Sequence, residues 1–132
     1  MTRINHVAVV VADLDEALRF WRDALGLPLS GKETVAAEAV DVAFLPVGES
    51  KIELLQPTDD ASGVARYLAR RGPGLHHLCL EVDDIDGMLA RLQAHAVELI
   101  NPTALSREDG TRYAFVHPRA TGGVLVELYE TP

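Results

Sequence analysis

The chain has one cysteine, Cys79, in 132 residues, fewer basic than acidic side chains, and no long apolar run. Each shortage excludes something. A single thiol forms no internal disulfide, which fits a reducing compartment. Twelve Lys and Arg against twenty Asp and Glu give a net charge of -8. That argues against nucleic acid as a partner, because a phosphate backbone calls for a basic face. It still admits an anionic small molecule, since a few local arginines outweigh distant acid. No apolar stretch approaches the roughly 20 residues of a membrane span. The run "VAVVVA" is short, ends at Asp13 and Asp15, and carries no small-residue cleavage site, so no secretory leader is expected. Pro and Gly are not in excess. The expectation is a soluble, cytoplasmic protein whose 48% hydrophobic content suffices for one core.

What is present is a pattern written twice. "INHVAVVVADLDEALRFW" (4–21) aligns with "LHHLCLEVDDIDGMLARL" (75–92) at an offset of 71 without a gap. His6 meets His77, Val11 meets Val82, Asp13 meets Asp84, Asp15 meets Asp86 and Leu18 meets Leu89. Each copy reads as a strand followed by a helix. In the first, Asp13 is the cap with Glu16 in capping-box position, and Ala17, Leu18, Trp21 and Leu25 form the apolar stripe before Gly26. In the second, Asp84 caps a stripe of Ile85, Met88, Leu89 and Leu92. Strand signals follow each helix: "LPLS", "AVDVAFLPV" and "SKIELLQP", then "VELI", "TRYAFVHP" and "GVLVELYE". The reading is α+β: tandem βαβββ modules at about 3–57 and 74–130, joined by a linker helix at about 60–72 and ended by Gly72-Pro73-Gly74, all within one domain over 1–132.

The final strands of the halves correspond as well. "KIELL" and "LVELY" place Glu53 opposite Glu127 at an offset of 74, the extra residues falling in the longer loop of the second half. Two histidines and two glutamates therefore occupy equivalent strand positions. Alternation puts His6 on a face with Ala8 and Val10, His77 with Cys79 and Glu81, and Glu127 with Leu125 and Tyr129. An unpartnered buried carboxylate is costly, and two repel. A divalent cation resolves both problems, because two neutral imidazoles and two carboxylates make a neutral set around it. His76 aligns with Asn5 and faces the other way, His95 is a late-helix residue facing solvent, and His117 is a structural strand-end residue before Pro118.

On the stretches "IELLQP", "GLHHLCLEVDDID", "HPRATGGVLVEL" and "GGVLVELYE" the chain resembles the vicinal oxygen chelate superfamily, and over nearly its whole length it is similar to methylmalonyl-CoA epimerases. The resemblance implies a cupped, eight-stranded glyoxalase-like half-barrel and one divalent ion ligated by His6, Glu53, His77 and Glu127. Cobalt, manganese, nickel and zinc all suit such a nitrogen–oxygen set. It further implies a homodimer, an acyl-CoA substrate, and Glu127 as both ligand and acid/base in moving the C2 proton of methylmalonyl-CoA.

Two departures qualify what the resemblance carries. Some epimerases place a second, non-ligand Glu where this chain has Val42, which leaves Glu81, a bound water, or Asp41 after a one-residue bulge as further acid/base candidates. The stretch "TALSREDGTRYAF" lacks the family's Gly-Ala-His-Gly-like loop, and that loop lies where the acyl group would be enclosed. Arg66, Arg70, Arg71, Arg112 and Arg119 read as ordinary solvated charges, with no phosphate contact assigned. The alternatives are a glyoxalase I-type lactoylglutathione lyase, an iron ring-cleaving dioxygenase, which the fourth ligand disfavours, and a non-catalytic binding module, which would normally have lost the ligand set.

Overall fold

Asp13 and Asp84, equivalent across the repeat, do the same local work. In the computed structural model, which describes residues 2–132, each has extended backbone and a carboxylate that accepts from an amide three residues on, Glu16 N at 2.9 Å and Gly87 N at 3.0 Å. Each thereby satisfies a helix-start donor that the helix itself leaves open. The chain forms two compact units, one of His6–His76 and one of His77–Pro132 with the segment ending at Asn5. Among the described residues no helix is long and apolar enough to cross a membrane.

The first unit holds β1 (Arg3–Val10) from His6 onward, with β2 (Gly31–Val35), β3 (Val40–Val47) and β4 (Ser50–Pro57), in the order β2-β3-β4-β1. Only β1 and β4 run parallel. One face buries Ala43, Leu45 and Leu54 against Leu14 and Leu18 of α1 (Leu14–Leu18). The other face carries Ala8, Val10, Val40, Val42 and Leu55, and α2 (Gly63–Arg71) packs Val64, Tyr67 and Leu68 onto it.

Two details differ from the sequence expectation. The helix after Asp13 widens to π geometry over Arg19–Ala24, with Leu25 N bonded to Phe20 O at 2.8 Å. One more residue per turn carries Leu25 past the apolar stripe, so it is 52% exposed while Trp21 still packs on the core. The strand expected at "LPLS" forms later, at Gly31–Val35. Pro28 has no amide to give a ladder, and Leu27 and Leu29 pack into the core instead. Exposed Lys32 and Glu33 then suit the strand that ends the order.

The second unit repeats the scheme with β5 (Gly74–Glu81), α3 (Ile85–Ala94), β6 (Leu105–Ser106), β7 (Arg112–Val116) and β8 (Leu125–Glu130), ordered β5-β8-β7-β6. Again only the β5–β8 pair is parallel. Val82, Ile85, Leu89, Ala114, Val116 and Leu128 form its core under α3. The strand expected at "VELI" shrinks to a single bridge, Leu99 with Val116. The Asn101 side chain takes the Phe115 amide at 2.9 Å, and Pro102 cannot extend a ladder.

Glu81, at the end of β5, is buried and accepts from Arg3 Nε at 2.5 Å and Thr131 Oγ1 at 2.7 Å, fastening the start and end of this unit. The Arg3 contact, then Thr131, holds its carboxyl below the usual carboxylate range.

Two outcomes follow for stability. Ile85→Ala, at a position with no exposure, should cost about 2–5 kcal/mol in urea unfolding. A carboxylate with a depressed folded pKa stabilises above its unfolded pKa of roughly 4.3, and that stability is lost as pH falls through the folded value. The stability advantage of the native chain over Glu81→Gln should therefore be full at pH 6 and shrink below about pH 4 in denaturation midpoints.

Candidate functional site

Parallel pairing places a histidine beside a glutamate in each unit with the same stagger. On β1 and β4, His6 pairs with Lys51 while Glu53 pairs with Ala8. On β5 and β8, His77 pairs with Leu125 while Glu127 pairs with Cys79. In both cases the glutamate stands two residues beyond the position opposite the histidine, on the same face. His6 Nδ1 lies 3.2 Å from Glu53 Oε2, and His77 Nε2 lies 3.2 Å from Glu127 Oε1. Side-chain exposures are 2% and 14% for the first pair and 10% and 3% for the second.

These donor sets fit a metal ion. Imidazole nitrogen and carboxylate oxygen are the ligands of borderline divalent cations. Ligands about 2.1 Å from an ion and at right angles to each other stand about 3 Å apart, which is the spacing found within each pair. Each unit thus brings together one of the predicted histidines with its predicted glutamate.

The flanking residues differ between the units. Phe44 pairs with Glu53 and Phe115 with Glu127, a duplication the sequence signals in "AF" at 43–44 and 114–115, at the histidines' own offset. His77 meets Phe115 edge to face, with centroids 6.0 Å apart. On the other side of Glu127 stands Arg107, its Nη2 at 3.8 Å from Oε2. Nothing in the repeat pointed to Arg107; its only signal was the atypical loop.

The further acid/base candidates lie elsewhere. Val42 is buried in the apolar cluster with Ala8 and Val10. The β3–β4 ladder runs without a bulge from Val40 opposite Pro57 to Val47 opposite Ser50, so Asp41 stays on the opposite face. There Asp41 accepts from Thr34 Oγ1 at 2.6 Å and, with Asp13 and Gln56, lines a polar cleft of about 450 Å³. The Glu81 carboxylate is engaged by Arg3 and Thr131.

Of the remaining histidines, His76 stacks edge to face on Tyr67, with centroids 5.0 Å apart. His95 ends α3 and is exposed, and His117 accepts from the Arg119 amide at 3.1 Å, as a structural residue would. Arg112 is held by Asp86 and Glu130, and Arg119 by Glu98, while Arg66, Arg70 and Arg71 lie exposed on α2.

Comparison with known proteins accords with this arrangement. The model of the Glyoxalase/Bleomycin resistance protein/Dioxygenase superfamily matches residues 5–115. The mouse mitochondrial methylmalonyl-CoA epimerase is 38% identical over 127 residues, 96% of this chain and 71% of that protein. The crystal structure of methylmalonyl-CoA epimerase from Mycobacterium tuberculosis is 37% identical, with a TM-score of 0.87 covering 98% of this chain and 87% of that one. A methylmalonyl-CoA epimerase in complex with methylmalonyl-CoA and NH4+ is 31% identical, with a TM-score of 0.88 covering 99% and 95%. The α+β class expected from the repeat, and the eight-stranded, glyoxalase-like form that the resemblance implies, are thus what is found. Matched over most of its length by the family model and by relatives well above 30% identity, the chain belongs to the Glyoxalase/Bleomycin resistance protein/Dioxygenase superfamily.

Proposed function

We propose that this protein is a methylmalonyl-CoA epimerase, an isomerase that removes the C2 proton of the acyl-CoA thioester and returns it to the other face. The observation that carries the reading is the duplicated, largely sheltered His–Glu pair in identical strand register, in a chain whose relatives over nearly its full length carry that activity in their names. On this reading His6, Glu53, His77 and Glu127 ligate one divalent ion per chain, drawn from cobalt, manganese, nickel and zinc. A bound divalent ion supplies Lewis acidity, which stabilises negative charge as C2 loses its proton.

The protein's own residues do the rest. The imidazoles of His6 and His77 act as neutral ligands, so the two carboxylates offset the ion's charge and an anionic substrate meets a neutral set. Glu127 is one acid/base: its oxygens, flanked by His77 and Arg107, exchange the C2 proton on one face of the substrate, and a bound water exchanges it on the other. Apolar cover from Phe115 keeps competing water from this carboxylate. Cytoplasmic residence and pairing of two chains, with the linker helix joining two modules of a single domain, complete the proposal.

The deciding measurement is proton exchange at C2 of methylmalonyl-CoA in heavy water, followed by NMR, on metal-loaded and chelator-treated protein. Rapid exchange confined to the metal-loaded protein is expected. Absence of exchange in protein holding one divalent ion per chain would overturn the epimerase reading. Glu127→Gln should lower the exchange rate by about 10²-fold or more. His6→Ala and His77→Ala should each lower the metal content measured by elemental analysis.

A further inference from the structure

We propose that Arg107 is the specificity-determining residue that binds the free carboxylate of the acyl group, so that the subsite selects thioesters bearing a second carboxylate at the reacting carbon. This rests on the epimerase reading above, and it assigns a role to the one loop where the chain departs from the family pattern.

The placement of Arg107 is the first argument. Glu127 turns Oε1 toward His77 at 3.2 Å and Oε2 toward Arg107 Nη2 at 3.8 Å. The guanidinium is thus on the far side of the proposed acid/base from the proposed ligand. At 3.8 Å this contact is electrostatic attraction and not a hydrogen bond. The Arg107 side chain is 30% exposed, so an incoming ligand reaches it.

Its mounting is the second. The guanidinium lies over Tyr113, 4.3 Å from the ring centroid, and 5.7 Å from that of Tyr129. These tyrosines pair across β7 and β8, one step along the strand from Phe115 and Glu127 on the same face. Cation–π contact holds the guanidinium against these rings. The backbone is pinned too: Arg107 N bonds Thr111 O at 2.8 Å, Gly110 N bonds Arg107 O at 3.1 Å, and the Asp109 carboxylate takes the Thr111 amide at 2.8 Å. Gly110 supplies the positive φ of 90° this turn needs. A planar fork on a fixed stem matches a carboxylate in a bidentate manner.

Charge is the third. Two carboxylates and a divalent ion sum to zero, whereas a malonyl-type substrate adds one negative charge with its free carboxylate, and transfer of the C2 proton to Glu127 moves charge within the site without adding to it. In a chain of net charge -8, a guanidinium beside Glu127 offsets that excess where it arises. A thioester without the second carboxylate gains nothing from it.

The test compares Arg107→Gln and Arg107→Lys with the native manganese-loaded protein. Calorimetry gives Kd for methylmalonyl-CoA and for propionyl-CoA, which lacks the carboxylate, and C2 exchange gives KM and kcat. Arg107→Gln should weaken methylmalonyl-CoA about tenfold or more and raise KM more than it lowers kcat. Propionyl-CoA should change less than twofold, which also reports that the variant is folded, and Arg107→Lys should recover part of the loss. Equal weakening of both ligands, or unchanged methylmalonyl-CoA affinity, would overturn the proposal. Native protein that binds methylmalonyl-CoA without exchanging C2 would end the epimerase reading alone, since the two affinities still decide the role of Arg107.

Discussion

Each unit sets a glutamate, largely withdrawn from water, beside a histidine, and much of the architecture follows from making that tolerable. A carboxylate withdrawn from water is strongly disfavoured unless it is paired. Here the partner is delivered by parallel strand pairing, whose stagger sets an imidazole nitrogen 3.2 Å from a carboxylate oxygen in both units. Parallel pairing requires a crossover, and α1 or α3 with the strands that follow supplies it. Those same helices bury the opposite sheet face, providing the apolar cores that offset the cost of the polar pairs. Alternation along each strand keeps the His–Glu pairs off the face packed by α1 or α3, and in the first unit the face that holds the pair carries an apolar cluster of its own beneath α2.

The duplication is faithful in frame and divergent in cover. Both units keep the capping aspartate, the His–Glu stagger and the phenylalanine opposite the glutamate. In the first, α2 lays Val64, Tyr67 and Leu68 over the face that carries Ala8, Val10 and Val42. In the second, the face around Glu127 carries Tyr113, Tyr129 and Arg107, side chains that combine ring surface with polar tips. The first unit has invested its face in packing, and the second keeps polar groups on its own.

The sequence made the repeat, the parallel His–Glu correspondence and the strands at 50–57 and 125–130 legible, because each depends on local alternation or on a gapless register. What escaped depended on backbone detail or tertiary choice. The π turn that exposes Leu25 is invisible to a 3.6-residue period. "LPLS" has strand-like apolar character, yet Pro28 and the demand of the core for Leu27 and Leu29 moved the strand on to begin at Gly31. "VELI" pairs through one bridge because Asn101 replaces a backbone partner with its side chain. Arg107 escaped for a different reason: it belongs to the loop outside the repeat, so no duplicated position marked it.

The same geometry narrows where proton chemistry can reside. Asp41 would have needed a bulge to turn toward His6, and the β3–β4 ladder is unbroken. Glu81 shares a face with His77, but its carboxylate holds Arg3 and Thr131, and those contacts stabilise the charged form, making it a weaker base. Val42 contributes only apolar surface. Among side chains the work on the proposed reading therefore falls to Glu127, with water left to serve the other face of C2; the two oxygens of Glu127 face different partners, His77 on one side and Arg107 on the other. A carboxylate so divided can exchange a proton at one oxygen while the other stays anchored electrostatically. That is what a reaction needs when it takes a proton from a carbon and must soon return it.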